Sequence, residues 1–371
     1  MRGDIPQLHA VRALAMAAIF FHHLWQGSAA LRVRYADTLL DAAGMDMALG
    51  VVVFNVMTAF LMGLPLFGSA PAPAPAFGPA VRKRLVRLCP QYYLAVLGLT
   101  AASAAVFHLS DWPGLAWATL SHLLFLDTFQ VSPFYGNMAA YWWLGLLVQF
   151  TLVFPWLAGR MHRPGAWCLA AAIVLWPASA WIKARGAALP GTGWEAFAFL
   201  WTFNLPARLP EFLCGLWLAK AWREHAGGGW PLGRGPALFL GGGCLLALAS
   251  AVVPGAPSLG HMTGAVWSLG AFAVLFALPG VAALGRLPAV RLVSTLSYGI
   301  YLCHQPLLSF CGPATQGLAP WTRFAVTAVA AGAGSLAGAM LLDRGAARVI
   351  AWLEPGKAAV AVPAGSQKRM R

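Results

Sequence analysis

The amino-acid sequence predicts an all-α, polytopic membrane protein with about ten transmembrane helices, and three observations carry that reading. Sixty per cent of its 371 residues are hydrophobic and the mean hydropathy is +0.69. Only 10% are charged, against about 25% in soluble domains. Apolar runs long enough to cross hydrocarbon recur at 8–27, 47–68, 88–108, 139–159, 167–183, 206–222, 236–254, 262–282, 295–312 and 322–342. The stretch 114–128 is shorter and is expected at an interface. Residues 1–345 are expected to form one integral membrane domain and 346–371 a disordered, basic cytoplasmic tail.

The net charge of +14 raises the question of nucleic acid, but no compact basic domain exists to bind it. With residue 1 in the cytoplasm and ten spans, 19 of the 25 Lys and Arg fall on the cytoplasmic side and six outside, at 32, 34, 183, 185, 208 and 323. That bias follows the positive-inside rule and places both termini in the cytoplasm. The six cysteines, at 89, 168, 214, 244, 303 and 311, fall mostly within spans and form no CxxC pair. They indicate neither a disulfide scaffold nor a metal site and read as small apolar fillers.

The first span, LHAVRALAMAAIFFHHLWQG at 8–27, carries Arg12, His22, His23 and Gln26. Ionisable groups in so apolar a helix need a partner or a function. At about 100° per residue, Arg12 and His23 lie about 20° apart on one face and roughly 16 Å apart along the axis. His22 falls about 80° off that line. GSAA at 27–30 resembles a signal-peptidase site, yet two adjacent histidines inside the run argue against a cleaved leader. Residues 28–46 read as a short polar outer loop.

An Ala-Pro linker, GSAPAPAPAFGPA at 68–80, is expected to run extended. It leads to VRKRLVRLCPQYY at 81–93, where Arg84 and Arg87 project from one side of a helix entering the membrane. They are either snorkelling anchors or a phosphate clamp. The next outer segment, 109–138, holds Asp111, Asp127 and a helical piece with His122. In the fourth span, Trp142 and Trp143 read first as interfacial anchors, and Trp142 is also a substrate-binding candidate. Residues 184–205 form an outer loop. At 204–220, Arg208 and Glu211 stand three apart and are placed to pair. The seventh and eighth spans carry almost no polar side chains and read as scaffold. In STLSYGIYLCHQPLL at 294–308, Ser297, Tyr301 and His304 line one face, with Tyr298 and Gln305 on its flank. No internal repeat of the kind found in many transporters is present.

Taken in order, these segments resemble the membrane acyltransferase 3 family of bacterial O-acyltransferases that modify surface polysaccharides, lipopolysaccharide and macrolide sugars. Arg12 and His23 fit its Arg-x10-His signature. RKRLVRLCPQYY resembles its arginine-rich segment, RLPEFLCG its Arg…Glu-Phe…Gly segment, and STLSYGIYLCHQP its Ser-Tyr-Gly-x-Tyr-Leu-x-His-x-Pro block. The resemblance covers nearly the whole chain. The fourth span departs from the pattern: Leu147 and Val148 stand where many members carry two glutamates, leaving Glu211 as the nearest charged substitute.

The resemblance implies a donor reached from the cytoplasm, acyl-CoA and first of all acetyl-CoA, or else another acyl carrier, with no permanently bound cofactor. It implies a carbohydrate or glycolipid hydroxyl as acceptor and a bacterial plasma membrane as the setting. His23 is then the candidate general base, with an acyl-histidine as the variant. Arg12 holds donor phosphate or fixes the helix, and Arg84 and Arg87 bind the donor. Ser297, Tyr298, Tyr301 and His304 shape the pocket or face the oxyanion, with Trp142, Arg208 and Glu211 as further substrate contacts. A flippase for a lipid-linked glycan, or an inactive homologue serving in assembly, stays open beside the enzyme. The sequence does not indicate an oligomeric state.

Overall fold

A computed structural model describes residues 4–36, 38–67, 73–107, 112–131, 139–160, 164–224 and 278–354. Its described residues form helices α1 (Pro6–Gln26), α2 (Ala29–Arg34), α3 (Leu39–Asp46), α4 (Gly50–Gly63), α5 (Phe77–Phe107), α6 (Trp112–Leu123), α7 (Trp142–Ala158), α8 (Pro164–Ala188), α9 (Gly193–Phe203), α10 (Leu205–Glu224), α11 (Pro279–Arg286), α12 (Pro288–Ala314) and α13 (Pro320–Leu353), with short 3-10 turns between some of them. Five stretches are long and apolar enough to cross a membrane: Pro6–Gln26, Ala43–Leu66, Phe77–Ala105, Ala139–Ala158 and Pro320–Leu353. Helices α8, α10 and α12 lie over the expected spans at 167–183, 206–222 and 295–312. The expected spans at 236–254 and most of 262–282, and the tail from 355, lie outside the described residues.

Three segments differ from the sequence-based expectation. The stretch 28–46, expected as a loop, is largely helical: Thr38 caps α3 by accepting from the Asp41 N–H at 3.4 Å, and Asp41 in turn accepts from Trp25 Nε1 at 2.8 Å. The loop at 184–205 contains α9, capped by Thr192, whose hydroxyl accepts from the Trp194 N–H at 3.3 Å. At the far end, α13 runs past Asp343 to Leu353, so helix continues beyond the boundary expected at residue 345.

α1 packs against α4, α11 and α12, while α12 also lies along α13. These crossings are close where glycines allow it. A Cβ at Gly299 of α12 would sit 2.8 Å from Ala339 of α13, and one at Gly215 of α10 would press into the Val56 carbonyl of α4. Chains of hydrogen bonds tie helix ends together. Gln149 Nε2 donates to Asn204 Oδ1 at 2.6 Å and its Oε1 accepts from the Leu205 N–H at 2.9 Å, tying α7 to the start of α10.

Beneath α6 lies a second buried cluster. His122 and Asp127 are 1% and 0% exposed, and His122 Nδ1 stands 3.6 Å from Asp127 Oδ2. Tyr92 Oη donates to the His122 carbonyl at 3.0 Å, and the His122 ring meets Tyr141 edge-on at 5.9 Å. Burial pushes Asp127 up from 3.8 to about 7, with nearby backbone N–H groups only partly offsetting it, and pulls His122 down from 6.5 to about 4.

The crossing at Gly215 and the buried His122–Asp127 pair each have a measurable consequence. Gly215→Ala should destabilise by about 1–3 kcal/mol through overpacking. Gly98→Ala, with open space around its Cβ, should be neutral or stabilising by up to about 1 kcal/mol; thermal unfolding in detergent distinguishes the two. The second consequence concerns pH. From about 4 to 6.5 the unfolded chain binds the His122 proton that the folded chain lacks, so this group makes stability rise with pH. From 3.8 to about 7 the folded chain keeps the Asp127 proton that the unfolded chain loses, so that group makes stability fall with pH. The opposed slopes should leave the wild-type contribution nearly flat. Asp127→Asn should gain stability between pH 4 and 6.5, and His122→Gln should lose it between pH 4 and 7, by at most about 1.4 kcal/mol per pH unit. Parallel melting curves for all three proteins would overturn the assignment.

Candidate functional site

Helix α1 begins with Pro6 in its first turn and runs unbroken to Gln26, so the spacing of Arg12 and His23 on one face is realised. His22 turns aside, its Nδ1 3.3 Å from the Gly44 carbonyl. His23 instead meets His304, which is fully buried on α12: the nearest ring nitrogens are 3.2 Å apart and the ring centroids 5.0 Å.

The hydrogen bonds assign the tautomers. His304 Nδ1 lies 2.6 Å from the Tyr301 carbonyl and His23 Nδ1 lies 3.0 Å from the Ile19 carbonyl. A carbonyl only accepts, so in the neutral rings each Nδ1 carries the hydrogen. His304 Nε2 is then a lone pair and takes a share of the His23 Nδ1–H. What remains is the lone pair on His23 Nε2, which no hydrogen bond engages among the described residues. The pair therefore presents one oriented base.

Three contacts hold α12 in register. Tyr141 Oη donates to the Leu302 carbonyl at 2.6 Å, Tyr301 Oη donates to the Ala140 carbonyl, and the Ala140 N–H donates to Gln305 Oε1 at 2.5 Å. They bracket His304 on both sides along the helix.

A cavity of about 1070 Å³ lies at the end of the bundle where α1 and α5 begin; neither His23 nor His304 lines it. Arg12, Arg84 and Arg87 line it, with Ser297, Tyr298 and Tyr301 on α12 and Trp143 and Leu147 on α7. Arg84 buries its Nε without a hydrogen-bond partner among the described residues. Tyr298 Oη donates to the Leu88 carbonyl at 3.0 Å, bracing α12 against the arginine helix. Tyr301 and Trp143, with rings 5.1 Å apart, both line it, and His304 follows Tyr301 by one helical turn, the two rings 5.4 Å apart.

The other sequence-predicted residues gather elsewhere. Arg208 donates to Glu211 at 3.0 Å and its guanidinium lies 5.5 Å from the Trp142 ring centroid. None of these three lines the cavity. They connect to it through Asn55, which sequence reasoning missed: its Nδ2 donates to Glu211 Oε2 at 2.6 Å, and its Oδ1 accepts from Trp143 Nε1 at 2.7 Å. A lone asparagine in GVVVFNVMTAF was the available signal. Tyr141 and Gln305 also acquire roles that their local sequence does not disclose. Leu147 is buried on the cavity wall, so an apolar side chain replaces the expected carboxylate at that place.

The chain matches the Acyltransferase domain family, Acyl_transf_3, over residues 5–344. No curated protein and no solved structure matches it. The matched range contains α1 with its Arg12–His23 stripe, the arginine helix, and α12 with His304; the chain belongs to the acyltransferase 3 family and is a membrane acyltransferase.

Proposed function

We propose that the protein moves an acyl group, acetyl in the first instance, from a cytoplasmic acyl-CoA to a hydroxyl of a carbohydrate or glycolipid acceptor at the outer side of a bacterial plasma membrane. About ten spans with both termini cytoplasmic give the orientation that this requires. The observation that carries the reading is the His23–His304 pair set just beyond a cavity whose other end is cationic. Arg12 lies roughly 16 Å along α1 from His23, a separation suited to a donor whose phosphates and thioester lie far apart.

In the reaction, His23 Nε2 takes the proton of the acceptor hydroxyl as its oxygen attacks the thioester carbonyl. The tetrahedral intermediate collapses with cleavage of the C–S bond, and the departing thiolate takes back a proton, giving ester and free CoA. His304 orients His23 by accepting from its Nδ1–H. Arg12, Arg84 and Arg87 hold the donor's phosphates, where charge-assisted contacts are strongest. Tyr298 and Tyr301 shape the inner cavity, while Ser297 lines it near the thioester's path. Trp142, Arg208 and Glu211 act at a distance, through Asn55 and Trp143.

The decisive experiment incubates purified protein with acyl-labelled acetyl-CoA and an isolated envelope glycan fraction. Label should reach the glycan with wild type, and His23→Ala at equal expression should lose it by at least about a hundredfold. Full transfer by His23→Ala would remove His23 from the chemistry. Glycan translocation without label transfer would replace the enzyme by a flippase. In the same assay, Arg84→Ala with Arg87→Ala should raise the KM for acetyl-CoA by at least about tenfold, as expected when hydrogen bonds to a charged group are lost. An unchanged KM would return both arginines to the role of membrane anchors.

A further inference from the structure

Among the described residues, the buried polar side chains that line the cavity are Gln91, Trp143, Thr151, Ser297 and Tyr301. Four of them have no hydrogen left to give. Trp143 Nε1 donates to Asn55 Oδ1 at 2.7 Å, Thr151 Oγ1 to the Leu147 carbonyl at 2.7 Å, Ser297 Oγ to the Ser294 carbonyl at 2.9 Å, and Tyr301 Oη to the Ala140 carbonyl. Tyr298, partly buried beside them, gives its hydrogen to the Leu88 carbonyl. Gln91 is the exception. It is 8% exposed, lines the cavity and makes no hydrogen bond among the described residues. A buried amide is costly to leave unpaired, so a partner is expected to reach it from the cavity.

Two helices fix where that partner must lie. On α5, Gln91 follows Arg87 by four residues, so the two share a face, with Gln91 about 6 Å further along the axis. On α12, its Nε2 occupies space that Gly299 leaves free, 3.0 Å from where a Cβ at Gly299 would stand. Gly299 precedes His304 by five residues, about 7.5 Å along α12. The amide therefore stands between the arginines and the histidine pair. Phe54, Met57 and Leu147 add buried apolar lining to the same cavity, and in such surroundings a hydrogen bond is stronger than in water.

We infer that Gln91 binds a secondary amide in the connecting arm of the acyl donor, its Nε2–H donating to the amide carbonyl and its Oε1 accepting from the amide N–H. A primary amide offers both a donor and an acceptor, the complement of a secondary amide. The spent hydroxyls of Ser297, Tyr298 and Tyr301 could only accept. The inference rests on the proposed acyl-CoA reading: the arm of a coenzyme A thioester carries two secondary amides between its phosphates and its sulfur, and is otherwise neutral. Gln91 is then a binding residue. With phosphates on the arginines and an amide on Gln91, the arm is held at two points, which sets how far the thioester extends toward His23.

The test uses full-length protein in lipid nanodiscs with acetyl-CoA and two analogues, each with one arm amide N–H replaced by an ester oxygen. In wild type, one of the two should raise KM about fivefold or more with kcat little changed, as for a hydrogen bond lost at a buried group. This comparison needs no variant. Gln91→Met keeps the side chain's length against Gly299; it should raise the KM for acetyl-CoA about tenfold and give acetyl-CoA and the discriminated analogue equal KM values. Indifference of wild type to both analogues, or a KM ratio that Gln91→Met leaves intact, would overturn the assignment. So would a Gln91→Met variant that loses kcat at unchanged KM, because Gln91 would then act at the reacting atoms. Equilibrium binding of acetyl-CoA and the analogues to the same proteins separates the two levels of inference. Amide discrimination in binding without acyl transfer would sink the catalytic reading and leave Gln91 in place. Tight binding of acetyl-CoA with no discrimination would remove Gln91 alone, and failure to bind acetyl-CoA at all would end both.

Discussion

Two imidazoles from helices separated by most of the chain must meet with their nitrogens 3.2 Å apart. That requirement constrains everything around them. A slip of one residue along α12 would swing His304 by about 100° and move it about 1.5 Å along the axis, enough to lose the contact. Helix propensity cannot set such a register, because any slip preserves the helix. Tertiary contacts set it: the three hydrogen bonds between 140–141 and 301–305, the Tyr298 bond to Leu88, and the close approach of Gly299 to Ala339. Each involves a residue on one helix and a partner on another. The histidine pair is therefore a product of the whole bundle.

The same physics explains why polar residues in the interior occur in chains. A buried carboxylate deprived of its partner destabilises by about 3–5 kcal/mol, and Glu211 avoids this with Arg208 on one side and Asn55 on the other. Asn55 passes its remaining capacity to Trp143, so the chain ends on the cavity wall. Arg208, which would be a costly isolated cation, also lies against Trp142 and donates to the Thr202 carbonyl at 3.0 Å. These residues influence the cavity by fixing the position of Trp143 without touching its contents.

Much of this was legible in the sequence, and the limits have physical causes. Among the described residues, hydropathy located five stretches that are long and apolar enough to cross a membrane, because burial in lipid or in a bundle leaves the same apolar signature. Helical periodicity separated His23 from His22, since a face is a property of one helix alone, and Ser297 and Tyr301 line the cavity together while His304 meets His23. Arg208 and Glu211, three apart, paired as expected. What stayed hidden depends on where helices cross. Nothing local says that Gln305 accepts from Ala140, or that Asn55 lies between Glu211 and Trp143. The short helices α3 and α9 were hidden for a related reason: their caps at Thr38 and Thr192 were readable, yet capping alone stabilises a helix by only about 1 kcal/mol, and packing completes it.

The fourth span shows how one missing group changes a site without emptying it. A carboxylate beside a catalytic histidine can do two things: accept its Nδ1–H, fixing tautomer and orientation, and offset the positive charge formed when the ring takes a proton. Here the first role falls to the Ile19 carbonyl and His304 Nε2, and neither needs an acid on α7. Of the buried acids, Glu211 is engaged by Arg208 and Asn55, while Asp127 stands beside His122. Both flank α7 instead of sitting at Leu147. In the proposed reaction, His23 becomes cationic just as the thioester oxygen becomes anionic. The charge that offsets the imidazolium is then on the substrate itself, and exists only in the transition state. A neutral pair avoids the cost of a permanent charge in an apolar interior and concentrates its electrostatic stabilisation where the barrier lies.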